Sequence, residues 1–423
     1  MNILIKYGKI HGTVSVPSSK SITHRAIMIA SIAYGKSVIK NRLKSVDTDF
    51  TVKACKELGV GIDEQGNQLI INGVNGKFIL NGKTKNLYVG ESGTTLRFLT
   101  AISILTDGTV IIDGEKKLRE RPIGGLIHVL LEQGILVKSI MNNDCPPVAV
   151  KGGFITGGKI SVSSDKSSQF ASALLLIAPF AKNDVVLEPI NLKSSPYLRL
   201  TWSLMKDFGI MGEFDNQVYK IKTGTGYKAR EMTIEGDWTS ASYFMVAAAV
   251  TGGKVKLLNM NPESIQGDRK IISILSKMGC EIKIKSDGLE VSGRNLKSIE
   301  EDLGDNPDIV PSLCIAAAFA SGKSKFTNIG HLIYKESNRL ESVCLELNKM
   351  GIDAYYDSSQ IVISGGKPNG SVIDPHNDHR IAMSFSVAGL AAEGETTINN
   401  ADVVNKSYPD FYNDLKILGA KII

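Results

Sequence analysis

The sequence predicts an α/β (α+β) protein of two domains, each built from three copies of a βαβαββ repeat around buried parallel helices. Three observations support this fold class. Similar segments recur six times, at intervals of about 69–75 residues. Each segment joins an apolar helical run to a strand-like run. A second helix in every repeat, this one amphipathic, ends at a glycine. An internal repeat of this length is a strong indication of a modular fold.

The first helix of each repeat opens with small polar or charged residues, becomes apolar on nearly all sides, and breaks before a strand. Such a helix is expected to lie in a core rather than on a surface. If the three helices of one domain run parallel, their N-termini emerge together at one end. The break residues are Gly35, Gly108, Asn183, Gly253, Gly322 and Gly394.

The second helix of each repeat ends in a glycine that suits the left-handed position just past a helix. A β-hairpin pattern follows it, as in GIDEQGNQLIINGV after the first of these helices. The terminal glycines are Gly59, Gly134, Gly209, Gly279, Gly351 and Gly419.

The two chain ends are each incomplete as repeats. The sixth repeat stops at GAKII without a closing strand, and the strands of NILIKYGKIHGTVSVP have no helix of their own. We therefore expect the N-terminal strands to complete the last repeat. This predicts one domain of residues 17–235 and another that combines residues 1–16 with residues 236–423.

Composition excludes several other classes of protein. The net charge of +6 is modest for 423 residues, and no basic stripe of the kind that binds nucleic acid is present. Five scattered cysteines form no CxxC pair, which argues against a disulfide framework or a zinc site. The apolar runs are too short to span a bilayer. We expect a cytoplasmic monomer that binds neither nucleic acid nor membrane.

Cations at the starts of the buried helices indicate an anion site. A helix N-terminus carries unpaired N–H groups and partial positive charge, so a cation placed there opposes the helix dipole. Lys20, Lys166 and Arg380 occupy such positions. We expect the six helix ends to face one another across a cleft, where the added cations would balance multiply charged anions.

Nine motifs, in order along the chain, resemble the 5-enolpyruvylshikimate-3-phosphate synthases, a family of enolpyruvyl transferases. The resemblance implies an inside-out α/β barrel in each of two domains that close on substrate. It also implies transfer of the enolpyruvyl group of phosphoenolpyruvate to the 5-hydroxyl of shikimate 3-phosphate, without a metal or organic cofactor. The motifs are KSITHR, GESGTTLRF, LRERPI, SSQF, SSPY, NPD, YKESNRL, NDHRIAM and NKSYPDF.

In the first domain, the resemblance assigns substrate contacts at several helix starts. Lys20 is similar to a lysine between both substrates, and Gly93 and Arg121 resemble phosphoenolpyruvate-binding residues. Gln169 matches a residue near both ligands. The remaining residues that resemble shikimate 3-phosphate contacts are Ser21, Arg25, Ser167, Ser168, Ser194 and Tyr197.

In the second domain, the resemblance assigns most of the chemistry. Asp308 matches the carboxylate that takes the proton of the attacking hydroxyl and contacts shikimate 3-phosphate. Lys335 resembles a shikimate-side lysine and Glu336 a proton-handling carboxylate. Three residues resemble phosphoenolpyruvate-binding cations: Arg339, Arg380 and Lys406. The resemblance places His379 beside phosphoenolpyruvate, and it implies catalytic roles for Asp308, Glu336, Lys20, His379 and Lys406.

Other functions remain possible, and two positions differ from the pattern of the family. The sister enzyme that uses UDP-N-acetylglucosamine typically has a reactive cysteine in the loop matching IDGEKKLRERPI, which this chain lacks. An RNA 3'-phosphate cyclase and a non-catalytic anion-binding module are more distant alternatives. Glu91 and His331 stand where many family members have asparagine. Asp47 in SVDT fits either a residue that lines the cleft or the cap of the next helix, and we favour the cap. We expect His24 to be a surface or satisfied structural histidine.

Overall fold

The computed structural model describes residues 1–293 and 295–423. Strands are short and are distributed along the whole chain. In order they are β1 (Ile3–Lys6), β2 (His11–Ser15), β3 (Tyr34–Lys40), β4 (Gly61–Gln65), β5 (Gln68–Val74), β6 (Thr84–Tyr88), β7 (Thr109–Asp113), β8 (Val137–Ser139), β9 (Val148–Lys151), β10 (Gly158–Ser163), β11 (Val185–Ile190), β12 (Gly212–Asp215), β13 (Val218–Ile221), β14 (Glu231–Thr233), β15 (Lys254–Leu258), β16 (Glu281–Lys285), β17 (Gly288–Ser292), β18 (Glu300–Asp302), β19 (Lys323–Thr327), β20 (Ala354–Tyr356), β21 (Ile361–Ser364), β22 (Val372–Ile373), β23 (Thr396–Ile398) and β24 (Lys421–Ile422).

The α-helices alternate with these strands. They are α1 (Lys20–Ile32), α2 (Val46–Glu57), α3 (Gly93–Ile102), α4 (Gly124–Glu132), α5 (Gln169–Ile177), α6 (Ser195–Asp207), α7 (Trp238–Thr251), α8 (Ile271–Lys277), α9 (Val310–Ala318), α10 (Arg339–Lys349), α11 (His379–Gly389) and α12 (Phe411–Ile417). Short 3-10 helices occur at Ser103–Leu105, Leu118–Glu120, Ala178–Phe180, Gly267–Lys270, Gly330–Tyr334 and Ala401–Lys406. Within the described residues, no helix is both long and apolar enough to cross a membrane.

The described strands form six four-stranded sheets with one shared plan. In each sheet two neighbouring strands, one of them at the edge, are parallel. The third strand pairs antiparallel with the inner strand of that pair, and the fourth strand pairs antiparallel with the third. In four of the sheets a single buried helix connects the two parallel strands, as the crossover between parallel neighbours requires. The strand orders are β14-β3-β5-β4, β6-β7-β9-β8, β10-β11-β13-β12, β2-β15-β17-β16, β18-β19-β21-β20 and β22-β23-β1-β24.

The chain divides into two compact units. One is Ser19–Ile234, which we call the continuous domain; the other combines Met1–Ser18 with Glu235–Ile423 and is the split domain. In the split domain β1 lies between β23 and β24, with Ile3 opposite Ile398 and Ile5 opposite Ile422. In the continuous domain β14 closes the first sheet by pairing in parallel with β3.

Buried helices form the centre of each domain, as the sequence predicts. In the split domain α7, α9 and α11 pack on one another, and α9 and α11 are buried along their whole length. In the continuous domain α3 packs against both α1 and α5. Their apolar side chains are therefore removed from water on all sides. This burial of apolar surface is the main favourable contribution to folding.

Local signals at the helix ends also agree with the structure. The six glycines after the second helices have φ between 79° and 107°, a conformation that suits glycine. Side-chain caps begin several buried helices: Ser19 for α1, Ser92 for α3, Asp237 for α7 and Asp378 for α11.

Candidate active site

The split domain gathers charged side chains at the starts of its helices. Oδ1 of Asp308 lies 3.0 Å from Nη1 of Arg339, and Oδ2 lies 2.9 Å from Nη2 of Arg380. Asp308 stands two residues before α9, Arg339 begins α10, and Arg380 is the second residue of α11. One carboxylate thus joins the N-terminal ends of three helices, two of them buried in the core.

Arg339 is shared among three carboxylates. Its side chain is 1% exposed; Nε donates to Asp378 at 2.8 Å, and Nη2 donates to Glu336 at 2.6 Å. Asp378 is fully buried and also accepts the backbone N–H of Arg380 at 2.9 Å. We call Asp308, Glu336, Arg339, Asp378 and Arg380 the arginine–carboxylate cluster. Burying so much charge is tolerated only because each group is paired.

The cluster sets the protonation of its members. Burial alone would raise the pKa of Asp308, but the guanidiniums of Arg380 and Arg339 hold that pKa far below its ordinary value. Burial lowers the pKa of Arg339, whereas Asp378 and Glu336 outweigh that effect and raise it. Asp308 therefore carries a negative charge at neutral pH.

A further carboxylate beside the cluster behaves in the opposite way. Burial, followed by the negative charge of Asp308, raises the pKa of Asp268 to about 7. Asp268 is 3% exposed and accepts a hydrogen bond from the hydroxyl of Thr239, the second residue of α7. Two neighbouring carboxylates thus have widely separated pKa values, an arrangement typical of functional sites.

The other predicted residues of the split domain lie near the same helix ends. Nζ of Lys406 donates to the backbone carbonyl of Asn377, two residues before α11, at 2.8 Å. His379 is the first residue of α11 and is 1% exposed. Lys335 follows a 3-10 helix and contributes to lowering the pKa of Asp308.

In the continuous domain, Lys20 is paired with an acid. Its Nζ lies 3.1 Å from Oδ2 of Asp47, and both side chains are largely buried. The expectation that Asp47 caps a helix is wrong, because Ser45 is the N-cap of α2 and Asp47 is the second residue of that helix. Its position in the first turn lets the carboxylate reach the start of α1.

Arg25 connects two other residues predicted to bind shikimate 3-phosphate, Ser21 and Tyr197. Nη1 donates to the backbone carbonyl of Ser21 at 3.0 Å, and Nη2 donates to that of Tyr197 at 3.1 Å. Nε donates to the hydroxyl of Thr201 at 2.7 Å. The guanidinium also lies over the ring of Phe98, and burial lowers the pKa of Arg25 to about 10.

Gly93 begins α3 in close contact with Arg121. A Cβ at Gly93 would lie 2.7 Å from Nη1 and 2.8 Å from Cζ of Arg121. The absence of a side chain therefore lets this guanidinium lie against the first turn of the helix, where the helix dipole and the cation both favour an anion.

Gln169 joins the starts of two helices. Nε2 donates to the hydroxyl of Thr94 at 2.9 Å, and Oε1 accepts from Nη1 of Arg97 at 2.8 Å. Arg97 is 3% exposed and also donates to the carbonyl of Pro122 at 3.1 Å. Arg97 therefore fixes the orientation of the Gln169 amide.

The predicted serines of this domain also lie at helix starts. Ser168 immediately precedes α5, and the hydroxyl of Ser167 accepts the backbone N–H of Gln169 at 3.3 Å. Ser194 precedes α6 with φ of 58° and is buried. Each of the two domains thus collects its own share of the predicted residues near helix N-termini.

Sequence reasoning missed Asp268, the pairing of Asp378 with Arg339, and the contact between Arg97 and Gln169. The position of Asp378 in NDHR predicts a helix cap, and the structure confirms that cap, but nothing local predicts its pairing with Arg339. The residues of these pairs lie far apart in sequence. No local pattern in QGDRK marks Asp268 as buried.

This fold, with charged groups collected at buried helix ends in both domains, defines a protein of the class that binds small anions. A sequence profile of the family EPSP synthase (3-phosphoshikimate 1-carboxyvinyltransferase) matches residues 5–415. The chain belongs to the EPSP synthase family.

Known relatives cover essentially the whole chain. It is 39% identical over 429 residues to a 3-phosphoshikimate 1-carboxyvinyltransferase of Methanococcoides burtonii, covering 100% of this chain and 99% of the relative. It is 38% identical over 430 residues to the protein of the same name from Methanococcus maripaludis, with the same coverage. An EPSP synthase structure from Acinetobacter baumannii superposes with a TM-score of 0.84 at 28% identity, covering 100% of this chain and 99% of that one.

Proposed function

We propose that this protein transfers the enolpyruvyl group of phosphoenolpyruvate to the 5-hydroxyl of shikimate 3-phosphate, yielding 5-enolpyruvylshikimate 3-phosphate and phosphate. Membership of the EPSP synthase family supports this activity, as do relatives named for it along the full chain. The activity belongs to the shikimate pathway, which leads to chorismate and the aromatic amino acids.

The observation that carries the proposal is the contact of Asp308 with both Arg339 and Arg380. Phosphoenolpyruvate presents a phosphate and a carboxylate, and arginine forks suit both groups. An anion that binds these arginines reduces their effect on Asp308 and so raises its basicity. The same binding event therefore places one substrate and prepares the base for the other.

The reaction is an addition followed by an elimination. The 5-hydroxyl adds to C2 of phosphoenolpyruvate as Asp308 accepts its proton, and C3 gains a proton to become a methyl group. C3 then loses a proton as the bond from C2 to the phosphate oxygen breaks. General acids and bases positioned at these atoms are required, and we assign this proton handling to Glu336 and Lys406, with His379 beside phosphoenolpyruvate.

The continuous domain supplies binding residues in this proposal. Lys20 contacts both substrates, and Gln169 lies near both. Gly93 and Arg121 bind phosphoenolpyruvate at the start of α3, where Arg121 already lies. The shikimate 3-phosphate residues are Ser21, Arg25, Ser167, Ser168, Ser194 and Tyr197, with Asp308 and Lys335 from the split domain.

The chemistry needs only acids, bases and cations, so we propose no metal or organic cofactor. We also propose a cytoplasmic monomer whose partners are its two anionic substrates, without nucleic acid or membrane.

The test is release of phosphate from phosphoenolpyruvate in the presence of shikimate 3-phosphate, with UDP-N-acetylglucosamine as the alternative acceptor. We expect release only with shikimate 3-phosphate. Asp308→Asn is expected to reduce kcat by at least about 100-fold, the usual contribution of a general base. Asp353→Asn, at an exposed carboxylate of the same domain, is the matched control. Preference for the nucleotide sugar would refute the assignment.

A further inference from the structure

A fully buried carboxylate of the split domain lies outside the arginine–carboxylate cluster. Glu346 is in α10 and is 0% exposed. Its Oε1 lies 2.8 Å from Nε2 of His376, and Nζ of Lys349 donates to both carboxylate oxygens at 2.8 and 2.9 Å. Oε2 also accepts the backbone N–H of Asp374 at 3.3 Å. The charge of Glu346 is thus compensated, as a buried carboxylate requires.

The hydrogen bond between His376 and Glu346 has one possible direction. A carboxylate that is paired with an ammonium group only accepts hydrogen bonds, so Nε2 of His376 carries the proton, whether the ring is neutral or charged. The other partners of Glu346, an ammonium group and a backbone N–H, are donors as well. All three partners therefore donate to this carboxylate.

Two of these contacts hold a strained turn between β22 and α11. His376 and Asn377 have φ of 50° and 57°, in the left-handed region that residues other than glycine adopt at a cost. Within the turn, Oδ1 of Asp374 accepts the N–H of His376 at 2.8 Å. Strain of this kind persists only where surrounding contacts fix the conformation. The side chain of Glu346 supplies two such contacts from outside the turn.

The turn presents a backbone carbonyl to a proposed catalytic residue. The carbonyl of Asn377 accepts a hydrogen bond from Nζ of Lys406 at 2.8 Å. The direction of this carbonyl depends on the backbone angles of the turn, because each rigid peptide plane rotates with the angles beside it. An ammonium has three N–H donors, so this contact orients Nζ and uses one of the three. The conformation of the turn therefore contributes to where the amine of Lys406 lies.

The start of α11 is held separately. Asp378 caps the helix, accepts the N–H of Arg380 at 2.9 Å, and pairs with Arg339 at 2.8 Å. Loss of the contacts with Glu346 is thus expected to move residues 376 and 377 rather than Arg380. The effect on the site would fall on Lys406.

We propose that Glu346 is a positioning residue: through Nε2–H of His376 it holds the left-handed turn, whose Asn377 carbonyl orients the amine of Lys406. The inference rests on the proposed function for the reaction that Lys406 serves. The part that concerns Glu346 and the turn does not depend on that reaction.

Hydrogen–deuterium exchange, followed by mass spectrometry, tests the turn without any activity assay. We expect peptides that cover residues 371–380 to exchange about fivefold faster in His376→Leu than in wild type, the effect of one lost hydrogen bond on local opening. His376→Leu leaves the buried carboxylate with Lys349 and the N–H of Asp374, so the variant should fold. Exchange that is equal in variant and wild type would overturn the proposal, whatever reaction the protein catalyses.

Kinetics then test the connection to Lys406. We expect His376→Leu and Glu346→Met each to lower kcat/KM for phosphoenolpyruvate about five- to tenfold, with KM for shikimate 3-phosphate changed less than about twofold. In a Lys406→Met background, measured at higher enzyme concentration, the same substitutions should change kcat/KM less than about twofold, because the amine through which they act is gone. His376→Gln keeps a side-chain N–H donor and should largely restore the wild-type value.

The control is Glu301→Met. Glu301 is a largely buried carboxylate of the same domain that pairs with Lys270 and Lys277 at 2.8 and 2.9 Å. An equal loss in the control, an unchanged kcat/KM in the two test variants, or a loss that persists in full without Lys406 would refute the positioning role. Failure of the wild-type protein to form product would count against the proposed function instead, and the exchange data would still decide whether Glu346 holds the turn.

Discussion

Replacing Asp268 with Asn should stabilise the protein at neutral and alkaline pH, although it alters a buried carboxylate. The pKa of Asp268 is raised from 3.8 to about 7 by burial and by Asp308. A group whose pKa is raised on folding binds its proton more tightly in the folded state. Its contribution to stability is therefore complete below about pH 4 and is lost as pH rises through 7.

The size of the effect follows from that shift. Each pKa unit corresponds to about 1.4 kcal/mol, so the wild-type protein loses on the order of 4 kcal/mol between pH 4 and pH 8 from this group. Asn is uncharged throughout and can still accept from Thr239. The difference in free energy of unfolding between variant and wild type should therefore widen, in favour of the variant, by about 2–3 kcal/mol from pH 5 to pH 8.

Urea denaturation at pH 5, 6, 7 and 8 measures this difference. Asp353→Asn, at an exposed carboxylate of the split domain, provides the matched control and should show no such widening. Curves of stability against pH that remain parallel for Asp268→Asn and wild type would refute the reasoning, because they would show that Asp268 keeps an ordinary affinity for protons.

Three further outcomes are expected. Gly93→Ala should displace the guanidinium of Arg121, whose Nη1 would lie 2.7 Å from the new methyl group, and raise KM for phosphoenolpyruvate about tenfold. Asp378→Asn removes one of the carboxylates that pair with buried Arg339 and should lower the free energy of unfolding by about 2–4 kcal/mol, measured by urea denaturation. Because the pKa of Asp308 is lowered in the folded protein, this carboxylate contributes stability above about pH 4, and the contribution is lost as pH falls further. Asp308→Asn lacks this contribution, so its loss of structure on acid titration should be shallower than that of wild type.

Each of these outcomes has its own check. Gly153→Ala is the control for the glycine, because a Cβ there meets only Cδ1 of Ile135, at an ordinary 3.4 Å. An unchanged KM in Gly93→Ala would show that Arg121 is not needed where it lies. Stability of Asp378→Asn equal to that of wild type would mean that Arg339 is satisfied by its other partners. An unaltered acid transition in the Asp308 variant would contradict the strong pairing of that carboxylate.

The repeat pattern made the fold predictable, because spacing and local signals agree in all six copies. Gly59 and Gly419 illustrate this: each follows an amphipathic helix, and each adopts positive φ as expected. Apolar runs such as that of α11 predicted burial correctly. These signals are local, so they can be found in one sequence without knowledge of what lies nearby in space.

Partner choice within the site was not predictable in the same way. Asp47 fits a helix cap by its sequence, yet it pairs with Lys20, 27 residues away. Arg339 and Asp378 are 39 residues apart, and the burial that makes their contact strong comes from packing of the whole domain. His24 was expected to be a surface or satisfied structural histidine, whereas its Nε2 is buried and, within the described part of the chain, without a partner.

The central position of β1 in its sheet has a consequence for biosynthesis. A ribosome makes Ile3 and Ile5 about 400 residues before it makes their neighbours Ile398 and Ile422. The continuous domain has all its strands once Thr233 has been made, so it can fold during synthesis. The split domain has to wait with β1 unpaired until β23 and β24 have left the exit tunnel.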